Sequence, residues 1–122
     1  MPFSGPLRLE YIDGRKWKLL EPLTYFTQDG TRGIDVHAGF ITDFASVPRF
    51  FWRILPPTGK SGAASVIHDF LYRYGIYTRA EADRIFLEAM EELGVSWLTR
   101  RTMYRAVRLF GRGSYTPTPE AV

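Results

Sequence analysis

A chain of 122 residues, 45% hydrophobic, 16% aromatic and 24% charged, has the make-up of one compact domain with a buried core, which excludes wholesale disorder. The 16 Lys+Arg against 13 Asp+Glu give a net charge of +3, too mild to name a partner, and zero cysteines exclude a disulfide scaffold and thiolate chemistry. The longest apolar run is far short of the roughly 20 residues of a membrane span, and the opening Met1-Pro2-Phe3-Ser4-Gly5-Pro6 lacks the basic-then-apolar order of a secretory signal.

The first 42 residues read as short antiparallel strands. Leu7-Arg8-Leu9-Glu10-Tyr11 alternates apolar and polar, and Asp13-Gly14 supplies a hairpin turn before Trp17-Lys18-Leu19. Leu23-Thr24-Tyr25-Phe26 and Ile34-Asp35-Val36 flank a second turn at Gln28-Asp29-Gly30, and Phe40-Ile41 continues as a strand end. No stripe of 3.6-residue period fits here, and the β-branched and aromatic content favours sheet.

From Ser46 the period changes. Ser46-Val47-Pro48 predicts a helix start, with Ser46 as the cap of a short helix over 49–55 that Pro56-Pro57 ends. A loop then leads into a buried helix around Ala63-Ala64-Ser65-Val66-Ile67-His68-Asp69-Phe70-Leu71-Tyr72, closed by Gly75. Thr78 with Glu81 makes a capping box for a helix running to about Leu93, and Ser96 opens a last helix to about Phe110. The expected fold is α+β, strands followed by a short helix and three helices, in a single domain over 1–111 with a flexible tail over 112–122.

Charge is unevenly distributed along this frame. Residues 1–45 carry five basic and six acidic side chains, and residues 46–95 carry six of each. The excess therefore sits in the last segment, where Arg100, Arg101, Arg105, Arg108 and Arg112 face only Glu120. Arg100, Arg101, Arg105 and Arg108 form either a patch for an anionic partner, such as a phospholipid surface, or a solvated helix face. Without a basic loop or interleaved stacking aromatics, nucleic acid is not the expected partner.

The chemical anomaly lies on the two central helices. His68 and Tyr72 are four apart and share one face, while Asp69 is rotated by about 100° from His68. On the next helix Asp83, Phe86, Leu87 and Met90 follow core spacing, so a carboxylate occupies an apolar position. A buried carboxylate needs a partner, and His68 with Tyr72 is the expected one. Asp83 would then fix the imidazole tautomer and leave the other nitrogen to take a proton from water. Asp69 could hold a hard cation with carbonyls of the loop 58–62. The same cluster could instead be a hydrogen-bond network that locks two helices together.

The string His68-Asp69-Phe70-Leu71-Tyr72, followed by Ala82-Asp83-Arg84-Ile85-Phe86 and Met90, resembles the active site of the phospholipase A₂ superfamily, closest to its prokaryotic, fungal and parvoviral forms. The resemblance covers about 30 residues. It implies His68 as the base that activates water, Asp69 as a calcium ligand, Asp83 as the group that orients His68, and Tyr72 as the support of Asp83. The loop Pro57-Thr58-Gly59-Lys60-Ser61-Gly62 is poorer in glycine than that family's calcium loop.

Nearly the whole of residues 1–111 is similar to a second family, an uncharacterised domain common in tailed phages and prophages. Thr42-Asp43-Phe44-Ala45-Ser46-Val47-Pro48, His68-Asp69-x-Leu71-Tyr72, Ala82-Asp83-x-x-Phe86 and Met103-Tyr104-x-Ala106-Val107 carry that likeness in order. It implies a phage context, with the virion or the host bacterial cytoplasm as location, and adds Asp43 and Ser46 as candidate site residues. Two functions follow as expectations. One is a metal-assisted, phospholipase-like hydrolase using calcium. The other is a noncatalytic virion or tail component that contacts other phage structural proteins and whose His-Asp-Tyr cluster is structural. The first requires an imidazole edge open to a cleft; the second keeps every His68 and Asp69 atom buried and satisfied. A further set, His37 with His68, Asp69 and Asp83, has the residue types of helix-borne HD phosphohydrolase sites, although His37 falls in strand-like sequence. The consecutive Phe50, Phe51 and Trp52 cannot all face one core, so at least one ring is an exposed edge.

Overall fold

The computed structural model describes residues 2–14, 16–43 and 61–116. The elements run β1 (Leu9–Asp13), β2 (Lys16–Leu19), β3 (Leu23–Phe26), β4 (Gly33–Val36), β5 (Ile41–Thr42), α1 (Gly62–Tyr74), α2 (Arg79–Glu92) and α3 (Trp97–Phe110). This is the α+β arrangement expected from the periodicities, with strands first and three helices after. The short helix expected at 46–55, and with it Ser46, Phe50, Phe51 and Trp52, lies outside the described residues.

The strands make two small antiparallel sheets, ordered β1-β2-β5 and β3-β4. In the first, Leu9 faces Leu19 and Tyr11 faces Trp17, and β5 adds to the other edge of β2 with Thr42 opposite Trp17. In the second, Leu23 pairs with Val36 and Tyr25 with Ile34. These four side chains are buried while their strand neighbours Phe26, Gly33 and Asp35 are exposed, the period-2 pattern of a sheet with one covered face. Phe3 packs on Tyr25 at a ring distance of 4.8 Å and ties the N-terminal segment to this hairpin.

Helix α1 is buried from Gly62 through Tyr72. A helix without a polar face must be surrounded, and α1 packs against β4 and β5 on one side and α2 on another. Gly75 ends it in the left-handed conformation, φ 58°, where a side chain would be strained. Three residues on, Thr78 accepts from the Glu81 amide and Glu81 accepts from the Thr78 amide, both at 3.2 Å, which starts α2. The short link Gly75 to Thr78 makes α1 and α2 antiparallel neighbours, and α2 in turn packs against α3. Ile67, Leu71, Phe86, Met90, Met103 and Val107 fill the space between the three helices.

Residues 112–116, expected as the start of a flexible tail, are tied to the helices through Tyr115 and Thr116. Gly111–Ser114 forms a 3₁₀ turn, the Thr116 amide donates to the Tyr72 carbonyl at 2.9 Å, and the Tyr115 hydroxyl donates to the Tyr77 carbonyl at 2.7 Å. The Tyr115 ring meets Tyr72 edge-on at 5.4 Å. Aromatic burial and two hydrogen bonds outweigh the glycine content that suggested fraying.

Candidate functional site

The i, i+4 spacing of His68 and Tyr72 on α1 points both side chains at α2, and Asp83, one turn into α2, meets them. The His68 Nε2 lies 2.7 Å from Asp83 Oδ1, and the Tyr72 hydroxyl donates to the same oxygen at 2.5 Å. The imidazole packs in tilted contact with Tyr72 and Phe86, with ring centroids 4.1 and 4.6 Å away. The other carboxylate oxygen belongs to α3: Arg108 Nη1 donates to Asp83 Oδ2 at 2.9 Å. Arg79 stands 3.8 Å from that oxygen, and its guanidinium also donates to the Val107 and Arg108 carbonyls at the end of α3. Asp83 thus joins three helices.

These contacts settle its charge. Burial alone would raise the Asp83 pKa, but hydrogen bonds from His68, Tyr72 and Arg108 outweigh it and hold the carboxyl below its ordinary range. An ionised carboxylate only accepts, so His68 Nε2 carries a proton and donates it to Asp83. Burial and the adjacent Asp83 charge push the Tyr72 phenol well above its usual value, which keeps it a donor.

Asp69 has the opposite environment. It is 5% exposed, and it accepts a 2.6 Å hydrogen bond from the Thr42 hydroxyl at the end of β5. Burial pushes its pKa up, and the nearby Asp43 charge adds to that; the Thr42 bond and the charges of Arg73 and His68 only partly oppose it. Asp43 is thus close enough for its charge to act on Asp69, which follows His68 in sequence on α1.

The remaining candidates disperse. His37 belongs to a ring cluster with Phe40, Phe70 and Tyr74, at 6.0 to 6.5 Å, rather than to His68. Among the described residues no three metal-ligating side chains converge, so the HD-type set is not assembled there. The four arginines divide. Arg108 is spent on Asp83, and Arg100 donates to the Val95 carbonyl and pairs with Glu91 at 3.3 Å. Arg101 and Arg105 stay exposed on α3.

Calcium takes six to eight oxygens. The described residues offer two carboxylates, Asp69 and Asp43, and one Asp69 oxygen already accepts from Thr42. Apart from Ser61 and Gly62, the loop 58–62 expected to supply carbonyls lies outside the described residues. The described donor set does not by itself fit a calcium site.

The sequence pattern of the family described as "Protein of unknown function (DUF1353)" matches residues 17–107. The chain belongs to this family. The DUF1353 span contains β2 from Trp17, β3 to β5, α1, α2 and α3 as far as Val107, and so includes Asp43, His68, Asp69, Tyr72 and Asp83 but stops one residue before Arg108. The chain is also 34% identical over 112 residues to the uncharacterized protein y4jT of Sinorhizobium fredii (strain NBRC 101917 / NGR234), a match covering 88% of this chain and 33% of that protein. The DUF1353 chain therefore spans about a third of the relative's length. No solved structure matches it.

Sequence reasoning did not join Thr42, Arg79 or Arg108 to this site, and Arg108 was expected in the anionic-partner patch instead. Arg79 had a signal, since it lies four residues before Asp83 on one helix. Thr42 and Arg108 had none, because their contacts cross 27 and 25 residues.

Proposed function

We propose that this chain is a hydrolase domain of phage or prophage origin in which His68 activates water against an ester of a lipid-like substrate. The observation that carries the reading is a pair of buried carboxylates in opposite environments, Asp83 bonded to His68 and Asp69 next to His68 in sequence on α1. Asp83 is kept charged by Arg108, Tyr72 and His68, whereas Asp69 is buried with a hydroxyl for its hydrogen bond and a carboxylate nearby. Groups pushed apart in this way mark acid–base assignments. A purely structural network gains nothing from a buried carboxylate such as Asp69, which costs stability when ionised.

In the reaction, water loses a proton to His68 Nδ1 as its oxygen adds to the ester carbonyl. Asp83 accepts from Nε2–H and stabilises the imidazolium that forms. Collapse of the tetrahedral adduct breaks the acyl C–O bond, and the imidazolium returns the proton to the leaving alkoxide. Tyr72 and Arg108 keep Asp83 in place throughout. The likeness of His68-Asp69-x-x-Tyr72 with Asp83 to the phospholipase A₂ pattern supports the lipid ester. Likeness to a phage domain family supports the origin, with the virion or the host cytoplasm as location, and a bacterial relative is compatible with a prophage. Because His68 is fully buried, the reaction requires an opened state of the kind that lids and loops provide.

Burial also favours a second reading, a noncatalytic virion or tail component. His68 is 0% exposed, and among the described residues no buried side-chain nitrogen or oxygen lacks a partner. One experiment separates the two. Fatty-acid release from phospholipid vesicles and hydrolysis of a soluble short-chain ester are followed for the full chain, with and without calcium. Release that disappears in His68→Gln and Asp69→Asn, with both variants still melting cooperatively, supports the hydrolase. No hydrolysis of either substrate under either condition overturns it in favour of the structural role.

A further inference from the structure

Helix α3 turns Met103, Ala106 and Val107 into the core. At about 100° per residue, Trp97, Leu98, Arg101, Arg105 and Leu109 fall within roughly 120° of arc on the opposite side. An outer face of this kind is ordinarily polar. Here Trp97 is 60% exposed, Leu98 69% and Leu109 73%. Arg101 and Arg105 lie between them and form no ion pair among the described residues, Arg101 resting over the Trp97 ring at 5.8 Å. Trp97, Leu98, Arg101, Thr102 and Arg105 also line one depression of about 150 Å³. The whole of α3 contains no acidic residue.

We propose that this outer face of α3 docks on an anionic membrane surface, with Arg101 and Arg105 binding lipid phosphates and Trp97, Leu98 and Leu109 entering the headgroup layer. Arginine forks match phosphate oxygens bidentately, and their stems bury alongside apolar neighbours while the charge stays at the polar level. Tryptophan favours that level, where one part of its ring is wet. A second copy of the chain is a poor occupant, since a two-fold contact would set these arginines against their own mates. Lipid headgroups are mobile and settle around irregularly spaced guanidinium groups, whereas a folded acidic partner must hold its carboxylates at fixed positions. This face belongs to a helix that packs on α2, and the inference does not rest on the hydrolase reading.

The test is co-sedimentation of the full chain with vesicles of phosphatidylcholine alone or with roughly 30% phosphatidylglycerol, without calcium. The expected result is binding to the anionic vesicles, weakened about tenfold or more in Arg101→Gln/Arg105→Gln, and weakened again in Trp97→Ala/Leu98→Ala. All four positions are exposed, so circular dichroism melts should match the parent chain. His68→Gln should bind like the parent, which keeps this result separate from any loss of hydrolysis. No binding to anionic vesicles overturns the proposal, as does binding that neither double variant changes. Retention on poly-glutamate without vesicle binding makes the face a site for an acidic protein, and also overturns it.

Discussion

Gly111 lies directly against Tyr72: a Cβ at residue 111 would sit 3.0 Å from the Tyr72 hydroxyl oxygen and 3.2 Å from its ring. That hydroxyl is held on its other side by Asp83, and the ring is wedged between His68 and Tyr115, so it has little room to give. Gly111→Ala should therefore cost about 1–3 kcal/mol, the range for overpacking a filled site. At Gly113 an added Cβ meets nothing within 4 Å, and Gly113→Ala should stay within about 0.5 kcal/mol of the parent. Urea unfolding of the two variants measures both values; equal effects would mean that Tyr72 is not clamped.

Asp83→Asn should be far more damaging. It keeps the shape but leaves Arg108, Arg79 and the His68 Nε2–H facing an amide, and breaking a buried ion pair from one side costs about 3–5 kcal/mol. Its pH dependence has a definite sign. The Asp83 pKa is lowered in the folded state, so the unfolded chain takes up that proton first. The stability it contributes is full above the ordinary carboxylate pKa of about 3.9 and is lost as pH falls through the folded-state value. The gap between parent and Asp83→Asn should thus be widest near neutrality and narrow in acid. Urea midpoints measured from pH 7 downward check this, and a constant gap would contradict it.

The helix pair was legible because its signals are local. The Thr78–Glu81 box, the glycine at 75 and the core spacing of Asp83, Phe86 and Met90 each act within a turn or two of helix. From them an imidazole and an acid on facing helices could be read in advance. The division of the arginines could not. Arg100, Arg101, Arg105 and Arg108 look alike on one amphipathic segment, and only the approach of α3 to α2 decides that Arg108 serves Asp83 while Arg105 does not. The start of the tail, over 112–116, misled for a similar reason. Gly111 and Gly113 speak for looseness, whereas Tyr115 finds a tertiary surface made by residues 38 and 43 positions earlier. The environment of Asp69 depends on β5, brought alongside α1 by pairing with β2.

The box that opens α2 also governs the site, since Asp83 is five residues past Thr78. Thr78→Ala removes the acceptor for the Glu81 amide and half of a reciprocal pair, for a loss of about 1 kcal/mol. Fraying of that first turn also loosens Arg79, whose guanidinium reaches the end of α3. Amide exchange should accelerate at residues 81–84 more than in the middle of α3. Uniform acceleration across both helices would mean the cap acts only through global stability.

The sharpest prediction concerns Asp69, because the two functional readings give it opposite signs. Its carboxyl is pushed up in the folded state by burial and by Asp43, so folding favours the protonated form. The contribution of Asp69 to stability should therefore fall as pH rises through about 3.9, the unfolded value, and level off above the folded one. Asp69→Asn keeps an oxygen for the Thr42 hydroxyl but carries no charge, and escapes that loss. At pH 7 the variant should be more stable than the parent by about 0.5–2 kcal/mol, as when a functional residue held against its own preference is relieved. Well below pH 3.9 the two should converge. A residue kept for structure predicts the reverse, a variant less stable than the parent at pH 7, and thermal melts across that range distinguish the outcomes directly.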